Sequence, residues 1–485
     1  MCVSTRFLGY ARNDSCWATN LALAAEKLNN NTTLPRGRRK NAGKKKNMEK
    51  KTLGVISLGC DKNRVDSEKL LASVFEDYAV TSDIAQAQII LINSCAFLES
   101  ARKEAIDVAI DCAKYRTEGK LEKLIMSGCL PQKFIGELFD ALTEVDGFLG
   151  TLDYDLFNAT VAECYNGKRV NNVGKGKGFD EKSRTVTTPE HYAYLKIADG
   201  CDNHCTYCLI PYIRGKYKSE KMSDLIEEAS RLGEVSELIL VAQDITRYGT
   251  DIYGAPKLVE LLRALSALEG IKTIRLLYCY PDMLTDELID EIARNDKILK
   301  YIDIPLQHAA DGVLKRMNRR GTEASYLALV KKLKEKVPGI ALRSTFIAGF
   351  PGESEADVEA LTDFLRKAQL FNAGFFAYSR EKGTPAYKLD GQLPAKVKRE
   401  RVKKLYCVQK EISKRNLAGF KGKVINVVCD GIDYDGQRFF GRAYFQAPDI
   451  DGKVFFKSDE TVDQGQTYRV KITATGAYDL FGRTV

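Results

Sequence analysis

Three short apolar runs, each closed by a cysteine, limit what this chain can fold into. Gly54-Val-Ile-Ser-Leu58 runs into Gly59-Cys60, Ile89-Ile-Leu-Ile92 into Asn93-Ser94-Cys95, and residues 121–126 into Ser127-Gly128-Cys129. Runs of this length read as buried strands, and helical periodicity fills the gaps at 65–75 and 101–113. Strands alternating with helices predict a parallel sheet, and such sheets bind ligands at the carboxyl ends of their strands. The three cysteines, 35 and 34 residues apart, therefore end successive strands and converge on one sheet edge. Three unrelated core cysteines are the plainer alternative, but one shared structural position argues against coincidence.

A second triplet stands in Cys201-Asp-Asn-His-Cys205-Thr-Tyr-Cys208, after the apolar run 192–197 and Gly200. Three thiolates do not complete a structural zinc site, which takes four protein ligands. A [4Fe–4S] cluster normally takes four cysteines, so one held by three keeps an iron open to a small molecule. Cys205 and Cys208 alone form a CxxC that would also suit a thioredoxin-like motif or half a zinc site. The third cysteine in the same loop, with no second CxxC in the chain, weighs against both.

The length of 485 residues predicts two to four domains, and 44% hydrophobic with 29% charged residues suits a globular core. No run approaches the roughly 18 apolar residues of a membrane helix, which predicts a soluble chain. Residues 1–30 lack the unbroken apolar core of a secretory signal. The 13 cysteines are therefore expected in a reducing cytoplasm, where clustered thiols bind metals or catalyse.

The net charge of +9 sits in one place. Residues 1–51 hold 12 of the 74 basic and 3 of the 65 acidic side chains, leaving 62 of each for the rest. The body is neutral, so the overall charge does not argue for nucleic-acid binding. Residues 1–51 read as a low-complexity extension, disordered or not native. Translation from Met48, a basic arm touching ribosomal RNA and an organelle-targeting peptide are its three readings; Cys2 and Cys16 play no part in any.

An N-terminal α/β domain is expected over 52–165 and a Gly/Lys-rich linker over 166–190. A second α/β series follows over 191–416, with strands at 192–197, 238–243, 274–280, 301–305, 342–348 and 373–378. Helices are expected between them at 222–231, 257–267, 285–294, 325–336 and 355–368. Six strands with crossover helices predict a partial (β/α) barrel with its chemistry at the carboxyl strand ends. Those ends carry the 201–208 loop, Gln243-Asp244, Gln307-His308 and Gly349-Phe-Pro-Gly-Glu353. The helical pattern fades after Lys410, and 417–485 reads as a small β-barrel. Its strands are expected at 423–429, 438–445, 453–456 and 468–473, with turns at Asp430-Gly, Asp435-Gly and Asp451-Gly.

Together these stretches resemble the methylthiotransferase family of radical S-adenosylmethionine (SAM) enzymes. The resemblance spans 52–485 and is carried by Leu58-Gly-Cys-Asp-Lys-Asn-Arg-Val-Asp-Ser-Glu68, Ile92-Asn-Ser-Cys95, Ser127-Gly-Cys129, the 201–208 loop and Gly349-Phe-Pro-Gly-Glu353. It implies an N-terminal cysteine-rich domain, a partial barrel of radical SAM type and a terminal barrel of the TRAM type. Leu58-Gly-Cys-Asp-Lys-Asn63, Arg214-Gly-Lys-Tyr217, Asp303-Ile-Pro-Leu-Gln-His308, Leu314-Lys-Arg-Met-Asn-Arg-Arg-Gly321 and Ala447-Pro-Asp-Ile-Asp-Gly452 resemble the RimO type. Members of that type modify an aspartate of small-subunit ribosomal protein S-twelve; other branches modify a tRNA adenosine. Asp61 departs from the proline usual there. The terminal barrel carries 9 basic and 9 acidic residues over 420–485, which suits a basic protein partner better than tRNA.

The resemblance implies that Cys201, Cys205 and Cys208 hold the [4Fe–4S] cluster that binds SAM, and that Cys60, Cys95 and Cys129 hold a second one where sulfur is attached. SAM then serves as radical source and methyl donor, with a low-potential electron donor and no membrane partner. Tyr207 is placed beside the adenine or in packing. Gly349 and Glu353 belong to a loop near SAM or to a plain turn, and Gln243, Gln307 and Arg343 are barrel-end candidates. His204 and His308 are expected as hydrogen-bonded neighbours. Cys112, Cys164, Cys279, Cys407 and Cys429 are expected to pack.

Overall fold

The computed structural model describes residues 50–178 and 183–485. The basic extension lies outside the described residues up to residue 49, as do Cys2 and Cys16. The described residues divide into two compact units: those from 50 to 188 with Tyr212–Gly215, and Pro189–Pro211 with Lys216–Val485.

The first unit alternates β1 (Thr52–Ser57), α1 (Asp61–Val74), β2 (Ala79–Val80), β3 (Ile89–Ser94), α2 (Glu99–Ala113), β4 (Lys123–Gly128), α3 (Cys129–Ala141), β5 (Gly147–Phe148), α4 (Phe157–Tyr165) and β6 (Val170–Asn171). Its sheet has the order β2-β1-β3-β4-β5-β6, and every pair is parallel. β3 is buried along its whole length, the mark of a strand covered on both faces. The two-residue strands β2, β5 and β6 are too short to show a pattern in sequence. Within the stretch read as a linker, Arg184 Nε and Thr187 N donate to the buried Glu68 carboxylate at 2.7 Å each.

In the second unit β7 (Tyr192–Lys196) precedes a two-stranded ribbon, β8 (Ala198–Asp199) and β9 (Lys218–Ser219), which brackets the 201–208 loop. Then come α5 (Met222–Arg231), β10 (Val235–Val241), α6 (Leu258–Ser266), β11 (Ile271–Leu276), α7 (Asp286–Arg294), β12 (Ile298–Asp303), α8 (Glu323–Lys336), β13 (Ala341–Ala348), α9 (Glu355–Ala368), β14 (Asn372–Ala377) and α10 (Ala395–Ala418). The six parallel strands run β14-β13-β12-β11-β10-β7, the expected partial barrel. α8 and α9 open with capping boxes at Thr322 and Ser354, which satisfy orphan backbone donors. Strands β15 (Val424–Asp433), β16 (Arg438–Arg442), β17 (Val454–Lys457), β18 (Thr467–Thr475) and β19 (Leu480–Thr484) close a small barrel in the order β15-β16-β17-β19-β18. No helix among the described residues is long and apolar enough to cross a membrane.

Four local expectations fail for identifiable reasons. The helix fading at Lys410 runs on to Ala418, because its buried stripe includes Gln409 and Ser413. Their side chains donate to the carbonyls of Leu370 and Phe371 at 3.1 and 3.2 Å. β11 stops at Leu276 rather than near 280: Tyr278 has φ +62°, a left-handed backbone that leaves a ladder. Asp430-Gly is not a turn. β15 passes through it with a register shift between Cys429 and Gly431, and the Asp430 carboxylate turns inward to Arg442. Cys407 is exposed rather than packed, whereas Cys112, Cys164, Cys279 and Cys429 are buried as expected.

Buried charges tie the terminal barrel to the parallel sheet. Glu237 on β10 accepts from Arg275 and, at 2.7 Å, from Arg442 Nη1. Arg442 Nε donates to Asp430 Oδ2 at 2.8 Å, and His191 Nε2 lies 2.8 Å from Asp430 Oδ1. Burial alone would raise the Glu237 carboxyl; the two guanidiniums reverse this and hold it below the usual range. Asp451 accepts from Tyr301 Oη at 2.7 Å and stands 3.5 Å from Arg343 Nε. Removing one partner of such an array strands a buried charge, so Arg442→Met should destabilise this unit by about 3–5 kcal/mol. An unchanged denaturant midpoint would show that the array does not hold the barrels together.

The loop after β13 has its own lock. Gly349 has φ +78°, and its N–H donates to both oxygens of the buried Glu353 carboxylate at 2.9 and 2.8 Å. Arg401 Nη1 donates to the same carboxylate at 2.8 Å, and His308 Nε2 stands 3.4 Å away. Burial would raise this carboxyl, but His308, the Gly349 N–H and Arg401 outweigh it and hold it below the usual range. A depressed folded pKa gives stability that is complete above the unfolded value of about 4.3 and lost as pH falls through the folded one. Glu353→Gln should thus be less stable than the parent at neutral pH, with the gap closing below about pH 4. A gap that persists unchanged in acid would mean that the charge is not what locks the loop.

Candidate functional site

In the first unit, parallel pairing delivers the three thiols to one edge. Cys60 caps the start of α1, Cys95 follows β3 directly, and Cys129 is the first residue of α3. The turn into α3 needs Gly128, whose φ is +94° and where a Cβ would stand 2.6 Å from the Ser94 carbonyl oxygen. Cys60 Sγ and Cys129 Sγ each lie 3.8 Å from Asn63 Oδ1. Asn63 is held there because its Nδ2 donates to Asn93 Oδ1 and the Ser94 carbonyl at 3.2 and 3.1 Å. Burial, then the neighbouring Cys129 and Cys60, push the Cys95 thiol up to about 12. The three sulfurs therefore share one environment in which thiolates repel one another.

Arg214 completes this cluster. It is buried, with Nη2 2.6 Å from Asn63 Oδ1 and 3.9 Å from Cys129 Sγ. Nη1 and Nη2 both donate to Asp66 Oδ2 at 3.1 Å.

The second triplet lies in a loop clamped at several points. Asn203 Nδ2 donates to the fully buried Asp244 at 3.0 Å, just past the end of β10. Thr206 N and Oγ1 donate to the carbonyls of Met317 and Arg316 at 3.1 and 2.8 Å, and Asn318 Nδ2 donates to the His204 carbonyl at 3.0 Å. His204 takes φ +51° while its ring is exposed. Burial pushes Cys201 up to about 11, and the nearby Cys205 acts the same way. Burial and then Cys205 push Cys208 further up. Cys205 Sγ lies 3.8 Å from both Tyr280 Oη and Arg319 Nη1. The buried Arg319 guanidinium covers the Tyr280 ring at 4.1 Å.

The remaining candidates divide into two groups. Gln243 follows β10; its Nε2 donates to Asp199 Oδ1 at 3.0 Å, while its buried Oε1 has no partner. Gln307 has φ +73° and bridges to Phe346 at the carboxyl end of the sheet. Tyr207 packs against the apolar cluster that contains Met317, Phe350 and Tyr378. Arg343 is only the third residue of β13 and is engaged by Asp303 Oδ1 at 2.7 Å and by Asp451. Glu353 is turned into its own loop, and His308 Nδ1 accepts from Ala310 N at 2.9 Å. Asn63, Arg214 and Arg319 lie in stretches that carry the resemblance, but nothing singled them out there, since a buried polar group breaks rather than makes an apolar pattern.

Each triplet is a set of thiols that could hold a metal group. Among the described residues, no three or more His, Cys, Asp or Glu side chains are grouped to hold a single metal ion.

Residues 195–365 match the Radical SAM superfamily, 422–485 the TRAM domain and 52–150 the Uncharacterized protein family UPF0004. The chain is 45% identical over 448 residues to the ribosomal protein uS12 methylthiotransferase RimO of Acetivibrio thermocellus, covering 90% of this chain and 99% of that protein. The RimO proteins of Clostridium acetobutylicum and Clostridium kluyveri are 43% and 44% identical, again over 90% of this chain and 98% of each relative. The match to full-length relatives, together with the three domains in order, makes this chain a member of the RimO family of radical SAM methylthiotransferases.

Proposed function

We propose that this chain adds a methylthio group to the β-carbon of an aspartate in ribosomal protein uS12, in the cytoplasm. One [4Fe–4S] cluster would sit on Cys201, Cys205 and Cys208, where SAM binds, and a second on Cys60, Cys95 and Cys129. The observation that carries this reading is two separate sets of three thiols, each at the carboxyl edge of a parallel sheet and each with a buried arginine against one sulfur.

The donor sets fit such groups. Each set offers three thiols, and a cube of irons takes one thiolate on each ligated iron. When bound, cluster and SAM supply one-electron and hydrogen-abstraction chemistry that side chains cannot. The protein's part is to hold and shield. Asn203, Thr206 and the Arg316–Asn318 carbonyls and amide fix the cysteine loop. Tyr207 with Phe350 and Tyr378 forms an apolar wall that keeps water from the reacting groups. Gln243, with its unpartnered Oε1, and Gln307 and Gly349 are the proposed polar contacts to SAM at the strand ends. Arg343 and Glu353 support the site through the bonds that hold β12, β13 and the loop after it. The electron comes from a low-potential donor.

Iron counting tests the assignment. Anaerobically reconstituted protein should hold about eight irons per chain, and replacing either cysteine triplet by alanine should leave about four. Loss of Cys201, Cys205 and Cys208 should abolish SAM cleavage, whereas loss of Cys60, Cys95 and Cys129 should spare cleavage and abolish methylthio transfer. Four irons in the parent would remove the second cluster. With uS12 in one reaction and hypomodified tRNA in another, mass spectrometry should find the methylthio group on the uS12 aspartate alone. A modified tRNA with unmodified uS12 would overturn the substrate.

A further inference from the structure

We infer that Arg319 is a positioning residue for the electron-accepting step, and that its guanidinium makes the cluster at Cys201, Cys205 and Cys208 easier to reduce than the one at Cys60, Cys95 and Cys129. The inference rests on the cluster reading above.

Arg319 is buried, and among the described residues no Asp or Glu lies within ion-pair distance of it. Its Nη2 donates to the Pro305 carbonyl, its Nη1 faces Cys205 Sγ at 3.8 Å, and the neutral Tyr326 hydroxyl stands beside it. The Tyr280 ring at 4.1 Å supplies a cation–π face but no countercharge. Buried charges persist when paired, and the sulfur of Cys205 is the anion-forming group in reach. Arg214 is differently placed: both of its terminal nitrogens bind Asp66 Oδ2 at 3.1 Å. Its charge is balanced by a carboxylate before any cluster is counted.

The consequence follows from charge alone. A [4Fe–4S] cube with three thiolates carries one net negative charge when oxidised and two when reduced. Reduction adds one electron from a low-potential one-electron donor; no bond forms or breaks and no proton moves. A fixed cation near the sulfur favours the more negative state, more strongly in a low-dielectric interior than in water. Arg319 supplies such a cation, whereas the Arg214–Asp66 pair is neutral at long range. The segment that carries Arg319 also clamps the loop, through Arg316 and Met317 to Thr206 and Asn318 to His204. The guanidinium and the sulfur are thereby fixed relative to each other.

The test is a dithionite titration followed by electron paramagnetic resonance, in protein whose Cys60, Cys95 and Cys129 are replaced by alanine so that one cluster remains. Arg319→Gln should lower the ratio of reduced to oxidised cluster at a given potential by at least about tenfold, about 59 mV for one electron. Arg319→Lys should stay near the parent, and circular dichroism checks that each variant is folded. Equal potentials in parent and Arg319→Gln would overturn the inference while leaving the cluster reading intact. A parent without iron would overturn the cluster reading itself. Should Arg319→Gln not assemble, two proteins that each keep only one triplet decide the matter: the one retaining Cys201, Cys205 and Cys208 should have the higher potential, and the reverse order refutes the inference.

Discussion

A strand can pair in parallel with its neighbour only if a crossover returns the chain to the same edge of the sheet. Both α/β sheets here obey that constraint at every step, and the rest of the architecture depends on it. Each crossover deposits whatever follows the strand at one common rim. A cysteine just after β1, after β3 and after β4 thus becomes one triplet without any long-range instruction. In the second sheet the same rule collects the cysteine loop, Asp244, Gln307 and the Gly349 turn. The chemistry is gathered by topology; the helices make the gathering unavoidable.

Within the second unit, buried charge joins apolar packing in holding the elements together. Glu237, Arg275, Arg442 and Asp430 form an alternating array in which every charge has an opposite neighbour. Glu353 and Arg401 do the same under the Gly349 turn. Such arrays are weak sources of net stability but unforgiving of any missing member. Arg319 stands apart because its neighbours offer no carboxylate, and that exception falls beside a thiol.

Much of this was legible in the sequence because it follows from apolar runs and their boundaries. Strands β3, β7 and β13, the helices from α5 to α9 and both cysteine triplets announce themselves by period and by what ends them. The parts that were not legible share a physical cause: polar groups doing what apolar ones usually do. Gln409 and Ser413 line the buried face of α10, so its last two turns read as no helix at all. Tyr278 leaves β11 through a left-handed backbone that aromatic residues seldom adopt. Asp430 looks like a turn residue and is instead half of a buried ion pair. Asn63, Arg214 and Arg319 lie inside stretches whose family resemblance was visible, yet their roles emerged only once burial and distances were known.

The central claim, that a radical formed with SAM acts on a uS12 aspartate, is tested most directly by isotope transfer. uS12 deuterated at the β-carbon of its aspartates would be incubated with reconstituted protein, SAM, sulfide and a reductant. The 5′-deoxyadenosine released would then be analysed by mass spectrometry. Deuterium in that product, matched to the amount of methylthiolated aspartate, is the expected result. Methylthiolated uS12 accompanied by unlabelled 5′-deoxyadenosine would contradict it, because hydrogen would then have left the aspartate by another route.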